Sequence, residues 1–194
     1  TVGTIELWPS GSAGLNLTGN GMWMRIWDAG IVRPTHQEFG NRVTQIDTPS
    51  FISSHATHVA GTMIAAGIDP DAKGMASQAD LNAWNWNNDI SEMTIAAANG
   101  LPLSNHSYAY YRGWNFWSGD MYWWGDPSVS ATEDYLFGFY DDDARNWDVV
   151  AANAPFYTIV KAAANNRGEN HTGGHYYWDG SNYVWSTDYR EPDG

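Results

Sequence analysis

Residues 53–66 read SSHATHVAGTMIAA. The two serines at the beginning of this stretch are favourable N-cap residues for a helix. Val59, Met63 and Ala66 follow at helical spacing, which predicts one apolar helix face directed at a core. His55 falls in the first helical turn, where its side chain can project beyond the helix end into a cleft. The stretch therefore predicts a helix that begins at a functional histidine.

Residues 55–62, HATHVAGT, resemble the histidine motif of the subtilisin-like serine peptidases, which usually reads HGTHVAGT. Seven of the eight positions match, and Ala56 is the departure. The resemblance makes His55 the general base and His58 a packing and hydrogen-bonding residue. From the residues alone, two core histidines or a metal-binding pair one turn apart are the alternatives. Gly61 costs about 1 kcal/mol relative to alanine inside a helix, so we expect a close packing contact there.

A second candidate residue, Asp28, stands at the end of the apolar run MWMRIW at residues 22–27. A short apolar run with flanking glycines predicts a buried parallel strand. Chemistry in open α/β sheets gathers at the carboxyl ends of strands, although an aspartate there is also a common turn former. Asp28, followed by Ala29-Gly30, resembles the aspartate motif of the same peptidases, whose aspartate orients the histidine. His36 lies in a segment similar to a family turn, and we interpret it as structural.

Further along the chain, the pattern predicts a strand at residues 79–84, a helix at 91–99 and a strand at 101–108. The last of these resembles the family's substrate-binding edge strand, whose free backbone groups can pair with an extended peptide. Ala109 and Tyr110 replace the small glycines that the family has in its primary specificity pocket. The run KAAANNRG at residues 161–168 resembles a second substrate-binding segment. The resemblance thus assigns substrate binding to five residues: Ser107, Tyr108, Ala109, Ala163 and Ala164.

Asn166, in the same run, matches the position of the family's oxyanion donor. A neutral amide at a strand end can donate to an oxygen that becomes negative, without adding a competing charge. Residues 156–164 predict the buried strand that carries it. Before that strand, residues 133–154 predict a helix. We interpret the acidic residues 141–143 as a solvated helix N-terminus, with a calcium site as the alternative.

Two aromatic-rich stretches do not fit the compact family pattern. Residues 110–127 predict a hairpin excursion, for which three interpretations stand: an insertion with its own small core, a wall of the substrate cleft, or a sugar-binding platform. We favour the first two together, with the hairpin beside the predicted substrate strand. Residues 171–180 predict a surface loop. His171 and His175 form at most a weak metal pair, because no third ligand has suitable spacing.

Alternating strands and helices predict an α/β fold with a doubly wound, mainly parallel sheet and helices on both faces. By resemblance, residues 1–194 form the N-terminal portion of a subtilisin-like catalytic domain, incomplete in this chain, with an insertion at about residues 110–127. The family's GTSMA segment, which carries the nucleophile, is absent, and Ser181 and Ser186 have different neighbours. We therefore expect a serine endopeptidase whose serine lies elsewhere, and the chain alone to be inactive. The alternative is a non-catalytic module that binds peptide or glycan.

The composition limits the partners. A net charge of −13 argues against nucleic acid, and no apolar run reaches membrane-spanning length. Cysteine is absent, which excludes disulfides and thiolate chemistry. The expected partners are polypeptide substrates and the missing C-terminal part of the catalytic domain, in the same chain or as a second one. The chemistry requires no cofactor, the resemblance leaves room for structural calcium, and we expect secretion.

Overall fold

The computed structural model describes residues 2–165 and 168–192. Its strands and helices follow one another along the chain in this order: β1 Trp23–Asp28, β2 Val43–Gln45, α1 Ser54–Ile64, β3 Asp80–Asn85, α2 Asp89–Ala98, β4 Leu103–His106, β5 Trp114–Trp117, β6 Asp120–Trp123, α3 Asp142–Asn153, β7 Thr158–Lys161, β8 His175–Trp178 and β9 Tyr183–Ser186. Short 3-10 turns lie at Thr4–Glu6, Pro70–Ala72 and Trp86–Asn88.

The chain divides into two compact units. The first comprises residues 1–107 and 146–161, and the second comprises residues 108–145 and 162–194. The first unit contains a five-stranded sheet in the order β2-β3-β1-β4-β7, in which all neighbouring strands run parallel. The predicted α/β class with a mainly parallel sheet is therefore confirmed.

Helices cover both faces of this sheet. Successive side chains of β1 point to opposite sides, so neighbouring residues of this strand contact different helices. On one face, Ile26 packs in a core cluster with Ala60 and Ile64 of α1. On the other face, Trp27 donates a hydrogen bond from its indole nitrogen to Glu92 of α2 at 2.9 Å. The all-parallel sheet thus has the two-sided burial that such sheets need.

The last strand of this sheet differs from the prediction. Residues 156–164 were expected to form a buried strand, but only β7 is extended, and most of its residues are exposed. Phe156 is 94% exposed and Val160 is 47% exposed. The reason is position: among the described residues β7 pairs only with β4 and forms the sheet edge. The apolar composition of this run therefore does not report burial within this chain.

The second unit is built on a four-stranded sheet in the order β5-β6-β8-β9. Strands β5 and β6 form an antiparallel hairpin, which confirms the hairpin predicted within residues 110–127. Trp114, Trp123 and His175 are buried on one face of the sheet, so the unit has its own small core. The surface loop predicted for residues 171–180 is wrong, since β8 lies there and pairs with both β6 and β9.

The helix predicted for residues 133–154 begins nine residues later, at Asp142. Local side-chain bonds capture the preceding segment in turns: Ser130 accepts from the Glu133 amide and Asp134 accepts from the Leu136 amide. Such bonds compete with helix formation. Within the described residues, every helix is too short or too polar to cross a bilayer.

Candidate active site

The segment that leaves β1 is joined directly to the segment that enters α1. After Asp28, the chain turns at Gly30, whose φ of 70° and close approach to Phe51 leave no room for a side chain. Ile31 then forms a parallel bridge with Ile52, and Ser53 donates its amide to the Ile31 carbonyl at 2.9 Å. This connection holds the start of α1 beside the carboxyl end of β1.

The cap of α1 fixes the orientation of its first turn. Ser53 is the N-cap residue, and its hydroxyl accepts the Ala56 amide at 3.1 Å, as the sequence predicts. Thr57 donates its hydroxyl to the Ser53 carbonyl at 2.6 Å and accepts the Arg33 amide at 3.0 Å. Thr57, the first threonine of the HATHVAGT motif, therefore joins the helix start to the loop after β1. Its supporting role was not anticipated from the sequence, although its place in the motif was a signal.

Asp28 and His55 lie within hydrogen-bonding distance. Nδ1 of His55 is 2.7 Å from Oδ1 of Asp28, and the same oxygen accepts the Ala29 amide at 2.7 Å. Asp28 is 1% exposed, whereas the His55 side chain is 58% exposed. Since a carboxylate only accepts, Nδ1 carries the proton in this bond, and Nε2 of the neutral imidazole is left as a base.

The electrostatics of the pair follow from the burial of its carboxyl group. Burial raises the pKa of Asp28, and the hydrogen bonds from His55 and from the Ala29 amide oppose that rise. Oδ2 of Asp28 is buried and has no hydrogen-bond partner among the described residues. A buried carboxylate with few donors is costly, so its interaction with His55 is correspondingly important, and the arrangement favours a proton held at Nδ1.

A buried aromatic and polar cluster lies directly behind β1. Trp27 stacks on Trp84 and on His106, with ring centroids 4.6 and 5.1 Å away. The Ser104 hydroxyl is 2.7 Å from Nε2 of His106 and 2.5 Å from the Tyr157 hydroxyl. Burial, with a contribution from nearby Lys161, lowers the pKa of His106 to about 3. This cluster, which the sequence did not reveal, holds the central strands by neutral groups rather than by ion pairs.

Three expectations for α1 are not met. The helix ends at Ile64, so Ala66 lies beyond it and is exposed rather than on its apolar face. A Cβ at Gly61 would meet no atom within 4 Å, so the expected close packing contact is wrong. The close contact is instead at Gly74, where a Cβ would lie 2.3 Å from the Ala65 nitrogen. His58 is exposed and does not pack in the core, because its position one residue before Val59 directs it away from the sheet. His36 is also exposed, and its Nδ1 accepts the Glu38 amide at 3.4 Å.

The remaining predicted site residues follow the ends of β4 and β7. Ser107 comes directly after β4 in the first unit, whereas Tyr108 and Ala109 belong to the second unit. Ala163 and Ala164 follow β7 and also belong to the second unit, and Ala164 has a φ of 68°. Asn166, the predicted oxyanion donor, lies outside the described residues. The roles assigned to these residues stay predictions, as do the catalytic roles of Asp28 and His55.

The acidic residues at the start of α3 are used as helix-terminal groups. Asp141 accepts the Ala144 amide at 2.9 Å, Asp142 pairs with Arg145 at 3.2 Å, and Asp143 accepts the Tyr110 hydroxyl at 3.1 Å. The three carboxylates therefore have different partners. In the part of the chain that the structure describes, no group of three His, Cys, Asp or Glu side chains could hold a metal ion.

Sequence comparison gives one indication of the chemistry. No protein-family model matches the chain. The chain is similar to the serine protease/ABC transporter B family protein tagB of Dictyostelium discoideum, with 28% identity over 145 residues. That alignment covers 70% of this chain and only 7% of the length of the relative. The similarity indicates a relationship to a serine protease.

Proposed function

We propose that this chain supplies the aspartate and histidine of a serine endopeptidase of the subtilisin-like type. The observation that carries the proposal is the 2.7 Å contact between Asp28 Oδ1 and His55 Nδ1. A buried carboxylate that orients an exposed imidazole is the arrangement that activates a hydroxyl nucleophile. The similarity to a named serine protease and the HATHVAGT motif support the same chemistry.

In the proposed mechanism, Asp28 holds the Nδ1 proton of His55 and stabilises the imidazolium that forms. Nε2 of His55 accepts the proton of a serine hydroxyl as its oxygen attacks the peptide carbonyl. The Asn166 amide donates to the oxyanion of the tetrahedral intermediate. His55 then gives its proton to the leaving amine, and water, activated in the same way, hydrolyses the acyl-enzyme.

We propose that the nucleophile and the remaining strands belong to a polypeptide segment outside these 194 residues. No serine of this sequence stands in a GTSMA-like segment. Among the described residues β7 is the last strand of its sheet, and its Val160 is exposed. An edge strand of this kind suits the addition of further parallel strands. Substrates would be polypeptides bound in extended form along Ser107, Tyr108, Ala109, Ala163 and Ala164. We also propose that the protein is secreted and can hold structural calcium, and that it binds neither nucleic acid nor a membrane.

The test is peptide hydrolysis by the chain alone and by the protein that includes the segment with the serine. We expect activity only in the second case, and a loss of about 10⁴-fold or more in kcat/KM with His55→Ala. His58→Ala is the matched control, because His58 lies on the same helix and is exposed, and it should retain activity. Full activity of His55→Ala would refute the proposal.

A further inference from the structure

The sheet of the second unit has an aromatic surface on one face. Strand alternation and cross-strand pairing place six rings on this face. They are Trp117, Tyr122, Tyr176, Trp178, Tyr183 and Trp185. We call this set the aromatic face. Its three indoles are about half exposed, with values of 47% for Trp117, 47% for Trp178 and 53% for Trp185.

The aromatic face is not needed to form the core of the unit. The opposite face of the same sheet carries the buried residues Trp114, Trp123 and His175. Arg190 packs over the Trp123 ring at 4.7 Å and closes that side. A sheet with one packed face ordinarily presents polar side chains on the other. An exposed face made of large rings is the signature of an interaction surface.

Each exposed indole is braced by a tyrosine in nearly the same way. Trp117 contacts Tyr122 at 5.3 Å and 68°, Trp185 contacts Tyr176 at 5.0 Å and 69°, and Trp178 contacts Tyr183 at 5.2 Å and 67°. These edge-to-face contacts are favourable geometries for aromatic pairs. The three indoles are therefore held before a ligand arrives, which reduces the entropic cost of binding.

The chemistry of the surroundings selects the ligand. The second unit has four arginines and no lysine against twelve Asp and Glu residues, and the net charge of the whole chain is −13. Asp120 and Asp179 lie at the hairpin ends of the same sheet. An anionic polymer is therefore disfavoured. An apolar protein partner would bury the tyrosine hydroxyls without hydrogen bonds, which costs free energy.

We propose that the aromatic face binds a neutral glycan with pyranose rings. The C–H faces of a pyranose can stack on the exposed indoles, while its hydroxyl groups hydrogen-bond to tyrosine hydroxyls and to Asn115, which pairs with Tyr122. This ligand satisfies both the apolar and the polar groups of the surface. The inference differs from the sequence-based preference for a wall of the substrate cleft, and it does not depend on peptidase activity.

The experiment measures binding of the intact chain to insoluble cellulose, chitin and mannan, and titration with their soluble oligosaccharides followed by tryptophan fluorescence. We expect binding to at least one of these glycans that persists in 1 M salt. Trp178→Ala and Trp185→Ala should each weaken it by tenfold or more. Phe116→Ala is the matched control, since Phe116 is 67% exposed but lies on the opposite face, and it should bind normally.

Several results would overturn the inference. One is the absence of binding to any of the glycans. Another is that Phe116→Ala weakens glycan binding as much as the indole substitutions do. A third is that the indole substitutions leave glycan binding unchanged and abolish only self-association in sedimentation or binding to a basic peptide. Circular dichroism and thermal unfolding of each variant separate loss of binding from loss of fold. His55→Ala should bind glycan normally, so a failure of this inference is distinguishable from a failure of the peptidase proposal.

Discussion

The two sheets of this protein use their faces differently. In the first, helices cover both faces, and the functional carboxylate Asp28 is buried at a strand end. In the second, one face is packed and the other exposes braced indoles. Burial in the first sheet fixes one side-chain pair and raises the pKa of its Asp28 carboxyl group. Exposure in the second leaves apolar area available for a ligand.

Tryptophan side chains have different surroundings in the two sheets. Trp27 is buried and stacks on Trp84, with ring centroids 4.6 Å apart. Trp178 and Trp185 are similar rings, but they face solvent. The same residue type thus serves as core at Trp27, and at Trp114 and Trp123 of the second unit, and as surface at Trp178 and Trp185. Within the second sheet, the face to which the side chain points decides which.

The largest expected effect is that of Asp28→Asn on peptidase activity. The substitution keeps the shape of the side chain but removes its negative charge and introduces an NH2 donor, which favours the wrong tautomer of His55 and no longer stabilises its imidazolium form. We expect kcat/KM of the complete peptidase to fall by about 10⁴-fold. Glycan binding by the same variant should be unchanged. If hydrolysis were unaffected, the buried carboxylate would have no catalytic function, and the contrast between the two sheets would be lost.

A second effect concerns acid stability. Because the folded-state pKa of His106 is about 3 and the unfolded value is about 6.5, the unfolded chain binds the proton more readily. The contribution of neutral His106 to the free energy of unfolding is therefore fully present above about pH 6.5. It is lost as the pH falls toward 3, by up to about 1.4 kcal/mol per pH unit. His106→Phe keeps an aromatic ring and removes the titration.

The measurement for His106 is the free energy of unfolding by denaturant at several pH values between 4 and 8. The difference between wild type and His106→Phe should narrow or reverse as the pH falls. His58→Phe, which alters an exposed histidine, is the control. A parallel pH dependence of the wild type and His106→Phe would show that His106 does not titrate as its burial requires.

The smallest expected effect tests the packing of α1. Gly61 lies inside the helix with open space around its Cα, so Gly61→Ala should stabilise the protein by about 1 kcal/mol through helix propensity. Gly74→Ala should destabilise it, because the new methyl group would meet the backbone of α1. Thermal unfolding of the two variants provides the check. Equal stability changes would contradict the packing described around this helix.

The sequence was most informative where one contiguous stretch sets the local structure. The cap at Ser53, the helix after it and the strand before Asp28 all follow from short-range patterns. The parallel sheet also follows, because strands and helices alternate. The proximity of Asp28 and His55 could be expected only through the resemblance, since the pairing of Ile31 with Ile52 that joins them has no signal in composition.

The second unit was harder to predict because its strands lack polar contrast. In β8, His175, Tyr176, Tyr177 and Trp178 place large rings on both faces, so alternation does not distinguish inside from outside. Strand β8 pairs with β6, which is distant in the chain. No short turn joins these two strands, so the sequence around β8 does not predict the pairing. The late start of α3 has a different, local cause, since side-chain bonds to the backbone outweigh helix propensity before Asp142.

The most direct test of the Asp28–His55 assignment is labelling of the active protein with a fluorophosphonate probe, followed by mass spectrometry. The proposed mechanism predicts one modified serine, outside residues 1–194, whose labelling is lost in His55→Ala and kept in His58→Ala. Labelling of Ser181 or Ser186 would mean that the nucleophile has been misplaced. Labelling that persists without His55 would contradict the account, because the serine would then be activated by another base.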